Sequence, residues 1–157
     1  MLQNNIGNFG YKRDESWWDI FFLRMAAYVA TASKDPSTKV GCILADSSHK
    51  LLSMGYNGFP RGAEDDYRLN IREEKYKRVI HAEENAILNS HGDLSGSVAY
   101  LTHPPCLHCC GMLKQVGVSR VVFVEPKPEF DSRWNLADTV KYLKELDIEV
   151  ASYRMIE

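Results

Sequence analysis

"HAEENAILNSHGDLSGSVAYLTHPPCLHCCGMLKQVGVSRVVFV", residues 81–124, decides the fold. It reads as a helix (HAEENAILNS), a strand (VAYLT), a second helix starting at the cysteines (CLHCCGMLKQV) and a second strand (RVVFV). After a loop carrying Pro126 and Pro128, the alternation continues with a helix in "NLADTVKYLKEL" and a last strand in "IEVASY". Helices and strands in strict alternation pair their strands in parallel and cover both faces of the sheet.

Upstream the pattern changes. "KVGCILAD" and "LLSMGYN" are two strands flanking a turn at Ser47–Lys50. Such a hairpin is antiparallel, so the sheet cannot be purely parallel. The expected architecture is α/β, a mixed five-stranded sheet between helical layers. "SWWDIFFLRMAAYVATASKD" reads as a helix, with Trp18, Phe21, Phe22, Met25 and Val29 as its buried stripe. Ser16 followed by Asp19 resembles a capping box at its start, and Trp17–Trp18 is expected to pack in the core. Residues 61–78, dense in both charges, read as a solvated helix or insertion. Residues 1–13, polar and rich in Gly and Asn, read as a loose arm. No repeat or linker divides the chain, so residues 1–157 are expected to form one domain.

The bulk composition narrows the function. The chain has 157 residues, 45% of them apolar, 25% charged, with a formal net charge of −2. Gripping a polynucleotide backbone requires a basic face, so this balance favours a small substrate over nucleic acid. No apolar run approaches the ~20 residues of a membrane span, and no secretory leader opens the chain, so a cytoplasmic location without membrane partners is expected. The four cysteines are then ligands or packing residues, not a disulfide framework.

Cys106 and Cys109 have C-x2-C spacing, which structural, redox and catalytic metal sites share. His81 is the best third ligand, because a carboxylate follows two positions later at Glu83. Residues two apart within a helix do not share a face. His81 and Glu83 can both reach one ion only if it sits beyond the opening turn. Pro104 and Pro105 place Cys106 at a helix entry too, since proline suits a first turn and not an interior. Two helix N-termini are therefore expected to converge on one ion, with positive dipole ends favouring thiolates and a bound anion. Cys110 is expected to pack as a small hydrophobe, His108 to face solvent, and His103, following a strand end, is a candidate for the pocket wall.

H-x-E followed by P-C-x-x-C is the signature of zinc nucleobase deaminases; here it reads His81-Ala82-Glu83 and Pro105-Cys106-Leu107-His108-Cys109. Together with "SKDPSTKVGCILAD", "GYNGFPRG" and "HAEENAI", in that order, the chain over residues 16–124 resembles the deoxycytidylate (dCMP) deaminase family. The resemblance implies a cytidine-deaminase-like αβα sandwich and hydrolysis of dCMP to dUMP and ammonia, supplying dUMP for thymidylate synthesis. It implies one catalytic Zn2+ on His81, Cys106 and Cys109, with Glu83 as proton shuttle. It puts Asn57 at the sugar, and the backbone of Ala82 at the base. Gly55, Gly58 and Arg61 match the block where family members meet effector or phosphate. Hexamers regulated by dCTP and dTTP, with Mg2+ accompanying a triphosphate effector, are further implications. Two features depart from the family: Glu84 replaces an apolar residue, and "EPKPEFDSRWNL" has no match. Rival readings are a deaminase of modified dCMP, dCTP, a nucleoside or tRNA adenosine, and, outside enzymes, a zinc-stabilised binding module. Glu83 argues against the last, since a structural clip has no use for a carboxylate facing the metal.

Overall fold

The computed structural model describes residues 13–130 and 134–154. Among them, five strands form one sheet in the order β2-β1-β3-β4-β5. β1 (Gly41–Ala45) and β2 (Leu51–Tyr56) make the expected antiparallel hairpin. β1 also runs antiparallel to β3 (Val98–Leu101). β3, β4 (Arg120–Val124) and β5 (Glu149–Tyr153) are parallel. The mixed five-stranded α/β sandwich is thus as expected.

Strand periodicity sorts the core into two layers. Cys42, Leu44, Ala99, Leu101, Val121 and Phe123 face one side, where α3 (Ala82–Leu88), α4 (Leu107–Gln115) and α5 (Leu136–Glu145) cover them. Ile43, Ala45, Tyr100, Val122 and Val124 face the other, under α1 (Glu15–Ala30). β1 and β4 are buried on both faces, which is why they read as continuous apolar runs.

α1 forms where expected, with two corrections. Its N-cap is Asp14, whose side chain accepts the Trp17 N–H at 2.9 Å, so no Ser16–Asp19 capping box exists. Asp19 is instead buried and takes both guanidinium nitrogens of Arg120 at 2.7 and 2.8 Å. The buried stripe runs through Asp19, Ile20, Phe22, Leu23, Ala26, Val29 and Ala30, while Phe21 is exposed and Trp17 and Trp18 only half-buried. Phe21 stacks on Trp17, and Trp18 on His49, so these aromatics cluster at the surface end of the helix.

Residues 61–78 are mostly exposed and partly helical, as expected, with Leu69 and Lys75 as the buried exceptions. They hold a 3-10 turn (Tyr67–Asn70) and α2 (Arg72–Arg78). The expected loose arm, apart from Arg13, lies outside the described residues.

Candidate metal centre and active site

The sequence places a histidine and a cysteine at matching points of two helices. His81 (φ −72°, ψ 158°) is the N-cap of α3, and Cys106 (φ −69°, ψ 163°) is the N-cap of α4. Extended backbone at an N-cap turns the side chain outward beyond the helix end. Cys106 Sγ accepts the Cys109 N–H at 3.5 Å, which brings Cys109 into the same corner. His81 Nδ1 then stands 3.7 Å from Cys106 Sγ and 3.4 Å from Cys109 Sγ. The three donor atoms all lie within 4.8 Å of one another. Metal–N and metal–S bonds of about 2.0 and 2.3 Å at tetrahedral angles put donors about 3.5–3.8 Å apart. The N/S/S set and its spacing therefore fit a zinc ion.

The three donors share protons that a bound ion would displace. The Cys106 sulfur raises the His81 ring to about 9. Hydrogen bonding from Cys109, aided by His81, holds the Cys106 thiol down to about 4. Cys109, sharing that bond in a buried position, is shifted upward. Cys110 faces the other way. Its thiol points to the Pro105 carbonyl at 3.9 Å, and burial pushes it up to about 12. His108 is exposed, as expected.

Glu83, in the first turn of α3, is 4% exposed, and burial raises its carboxyl to about 7. It shares with His81, Ala82 and Cys106 the wall of a cavity of about 240 Å³. His103 lines the same cavity.

Asn57 lies in the wall, 8% exposed, but its amide is largely engaged. Its Oδ1 accepts the Val40 N–H at 2.8 Å, and its Nδ2 donates to Thr38 O at 2.9 Å and Asp35 Oδ2 at 3.4 Å. It thus holds the 35–40 loop against the cavity. Asp35 Oδ1 accepts the N–H groups of Ser37 and Thr38 and the Lys75 ammonium, the last at 3.1 Å.

Gly55, Gly58 and Arg61 lie away from this wall. Gly55 sits under α3, where a Cβ would collide with the backbone of Ala82 and Ala86. Gly58 forms a two-bond bridge with Ile80, and Arg61 is exposed and outside the cavity lining. The cations that do line the cavity are Arg72 and Lys75, with Tyr76 and Val79 beside them. Sequence reasoning missed these, and Trp134 from the unmatched tail. Arg72 and Lys75 are three apart, on one helical face, which was a usable signal. The partner that buries Lys75 is 40 residues away and leaves no local trace.

Comparisons with known proteins show the family. The family model described as the cytidine and deoxycytidylate deaminase zinc-binding region matches residues 16–125. The "uncharacterized deaminase in luxG 3'region" of Aliivibrio fischeri is 42% identical over 119 residues, covering 76% of this chain and 80% of that one. Human deoxycytidylate deaminase is 36% identical over 124 residues, 74% of this chain and 70% of that one. The chain spans 60% of the length of its Drosophila melanogaster relative. Among solved structures, dCMP deaminase from cyanophage S-TIM5 in apo form is 26% identical, with a TM-score of 0.70 over 90% of this chain and 99% of that one. Its complex with dCMP and dUMP superposes with a TM-score of 0.73 at 24% identity, over the same shares, a likeness of fold.

Proposed function

We propose that this chain, which belongs to the cytidine and deoxycytidylate deaminase family, converts dCMP and water into dUMP and ammonia. The observation that carries the reading is Glu83, a buried carboxyl in the first turn of α3, lining one cavity with His81 and Cys106 of a His/Cys/Cys cluster. A purely structural zinc clip has no use for it.

His81, Cys106 and Cys109 would hold the ion. A zinc ion so held lowers the pKa of its water toward about 7, making a nucleophile available at neutral pH. Glu83 takes a proton from the attacking water and delivers it to N3 of the cytosine as C4 becomes tetrahedral. The same carboxyl then takes the proton of the new C4 hydroxyl and passes it to the amine, so that the C4–N bond breaks, ammonia leaves and the C4 carbonyl of dUMP remains. A carboxyl held up to about 7 is suited to both directions of transfer near neutrality. The Ala82 backbone at the start of α3 faces the base, and Asn57 with its loop borders the sugar. For the 5′-phosphate we assign Arg72, on the cavity wall over the Tyr76 ring at 5.2 Å, in place of Arg61. The relatives named deoxycytidylate deaminase and a cavity of about 240 Å³ support this substrate class.

The test is ammonia release from dCMP, CMP, deoxycytidine and dCTP, side by side, with Arg72→Ala as a companion. dCMP should have the highest kcat/KM. Arg72→Ala should raise KM for dCMP and leave deoxycytidine unmoved. Deoxycytidine equal to dCMP in the native chain would make this a nucleoside deaminase.

A further inference from the structure

One wall of the cavity has no part in the chemistry above. Trp134 stands just ahead of α5, and its indole stacks on the His103 imidazole with ring centroids 4.5 Å apart and planes 27° apart. Both rings line the cavity that contains Glu83 and Cys106.

The pair is anchored at both ends. His103 Nδ1 lies 2.8 Å from Thr102 Oγ1, which in turn accepts the Gly41 N–H at 3.1 Å. Asn135 takes a left-handed conformation (φ 46°), uncommon outside glycine, and its side chain donates to Asp138 at 2.6 Å. The chain turns sharply there, directly after Trp134. Buried Thr139 donates to the Pro105 carbonyl at 3.0 Å, tying α5 to the segment that leads into Cys106. Trp134 is thus fixed relative to the metal cluster.

Cytosine chemistry then orients the base. C4 must meet the cluster, and N3 must face Glu83, which protonates it. C5 is the other ring neighbour of C4, so it points away from α3. The lining residues that belong neither to the α2–α3 segment, nor to the 35–57 wall, nor to the metal cluster are His103, Pro104 and Trp134, and these are the ones left to meet C5. N1, across the ring from C4, carries the sugar outward toward Asn57 and α2.

We propose that Trp134, buttressed by His103, is the specificity-determining residue for position 5 of the cytosine: the stacked rings form a wall that accepts hydrogen there and excludes a methyl or larger group. The inference rests on the dCMP reading above. A difference of one methylene-sized group in a tight pocket is worth about 10–200-fold in kcat/KM.

The experiment measures kcat/KM for 5-methyl-dCMP and dCMP in the native chain, Trp134→Ala, Trp134→Phe and His103→Ala. The ratio of the two within each protein is the readout, so a misfolded fraction cancels. The native chain should favour dCMP by about tenfold or more. Trp134→Ala should raise the 5-methyl ratio by a similar factor, with Trp134→Phe and His103→Ala between. Equilibrium dissociation constants of both nucleotides, measured by calorimetry in a Glu83→Gln background with and without Trp134→Ala, should shift the same way without turnover. Equal native kcat/KM for the two nucleotides, or ratios that Trp134→Ala leaves unmoved, would overturn the proposal while leaving the dCMP reading intact. Native protein that releases ammonia from no cytosine nucleotide overturns that reading and this inference with it.

Discussion

Glu83 and His81 reach one corner because one of them is not yet helical. Inside a helix, residues two apart point to different sides. At the start of α3, His81 is still extended, while Glu83 is within the first turn. That local fact supports the role assigned to the carboxyl. Glu83→Gln should keep its zinc and its fold but lose turnover by about 10²–10⁴-fold or more, because an amide carries no proton. Parallel zinc analysis and steady-state kinetics check this, and activity within threefold of native would remove Glu83 from the mechanism. The two neighbouring cysteines should separate as cleanly. Cys109→Ala should lose the metal, whereas Cys110→Ala, whose thiol faces the Pro105 carbonyl, should retain about one equivalent by elemental analysis.

Among the elements, α3 and α2 show how packing supports the site. α3 lies directly on β2, and Gly55 permits that approach. Asn85 and Asn89, one turn apart on α3, donate to the Tyr56 and Met54 carbonyls at 2.7 and 3.0 Å, covering part of an edge strand. Gly55→Ala should push α3 off the strand and destabilise the fold by about 1–3 kcal/mol, read from urea midpoints. Since α3 carries His81 and Glu83, zinc affinity should fall with it. α2 contributes a buried ion pair, Lys75 with Asp35, at 7% and 4% exposure. Lys75→Met would leave the Asp35 carboxylate buried and unpaired, a loss of about 3–5 kcal/mol. Asp35 organises the loop that Asn57 also grips, so KM should rise along with the fall in stability. Unchanged urea midpoints in Lys75→Met would mean that the pair adds nothing.

Across the whole molecule, α1 is fastened to the far end of the sheet by charge as well as by apolar contact. Asp19, 1% exposed, accepts from Arg120 on β4 and from the Tyr153 hydroxyl on β5 at 2.7 Å. This junction is remote in sequence and lies on the layer opposite α3, α4 and α5. A zinc ion held by His81, Cys106 and Cys109 would link α3 to α4 on their own side of the sheet. A ligand at a hundredfold its Kd stabilises the folded state by about 2.7 kcal/mol. Chelation should therefore lower Tm, by about 2–4 °C for each kcal/mol lost in a chain of this size. Acid should act in the same direction. The metal binds thiolates and a neutral imidazole, so lowering the pH protonates the ligands, releases zinc and lowers Tm toward the chelated value. A scanning calorimetry series with and without chelator checks both effects, and identical Tm values at neutral pH would exclude zinc from the folded state's stability.

The local patterns of the sequence already determined much of this. Strand–helix alternation from residue 81, the hairpin around Ser47–Lys50, and the H-x-E and P-C-x-x-C spacings are all short-range, and each has the structural outcome its residues imply. Helix starts are encoded within a few residues of the cap, so the convergence of His81 and Cys106 could be anticipated. What tertiary structure alone decided is which charged and aromatic side chains leave the solvent. Lys75 reads as one more charge in a polar stretch until Asp35 arrives from 40 residues upstream. Asp19 reads as a capping residue until Arg120 claims it, and Trp134 as an unmatched tail residue until it meets His103. Burial of a charge or a ring depends on its partner in space, and a partner 30 to 100 positions away leaves no periodicity along the chain.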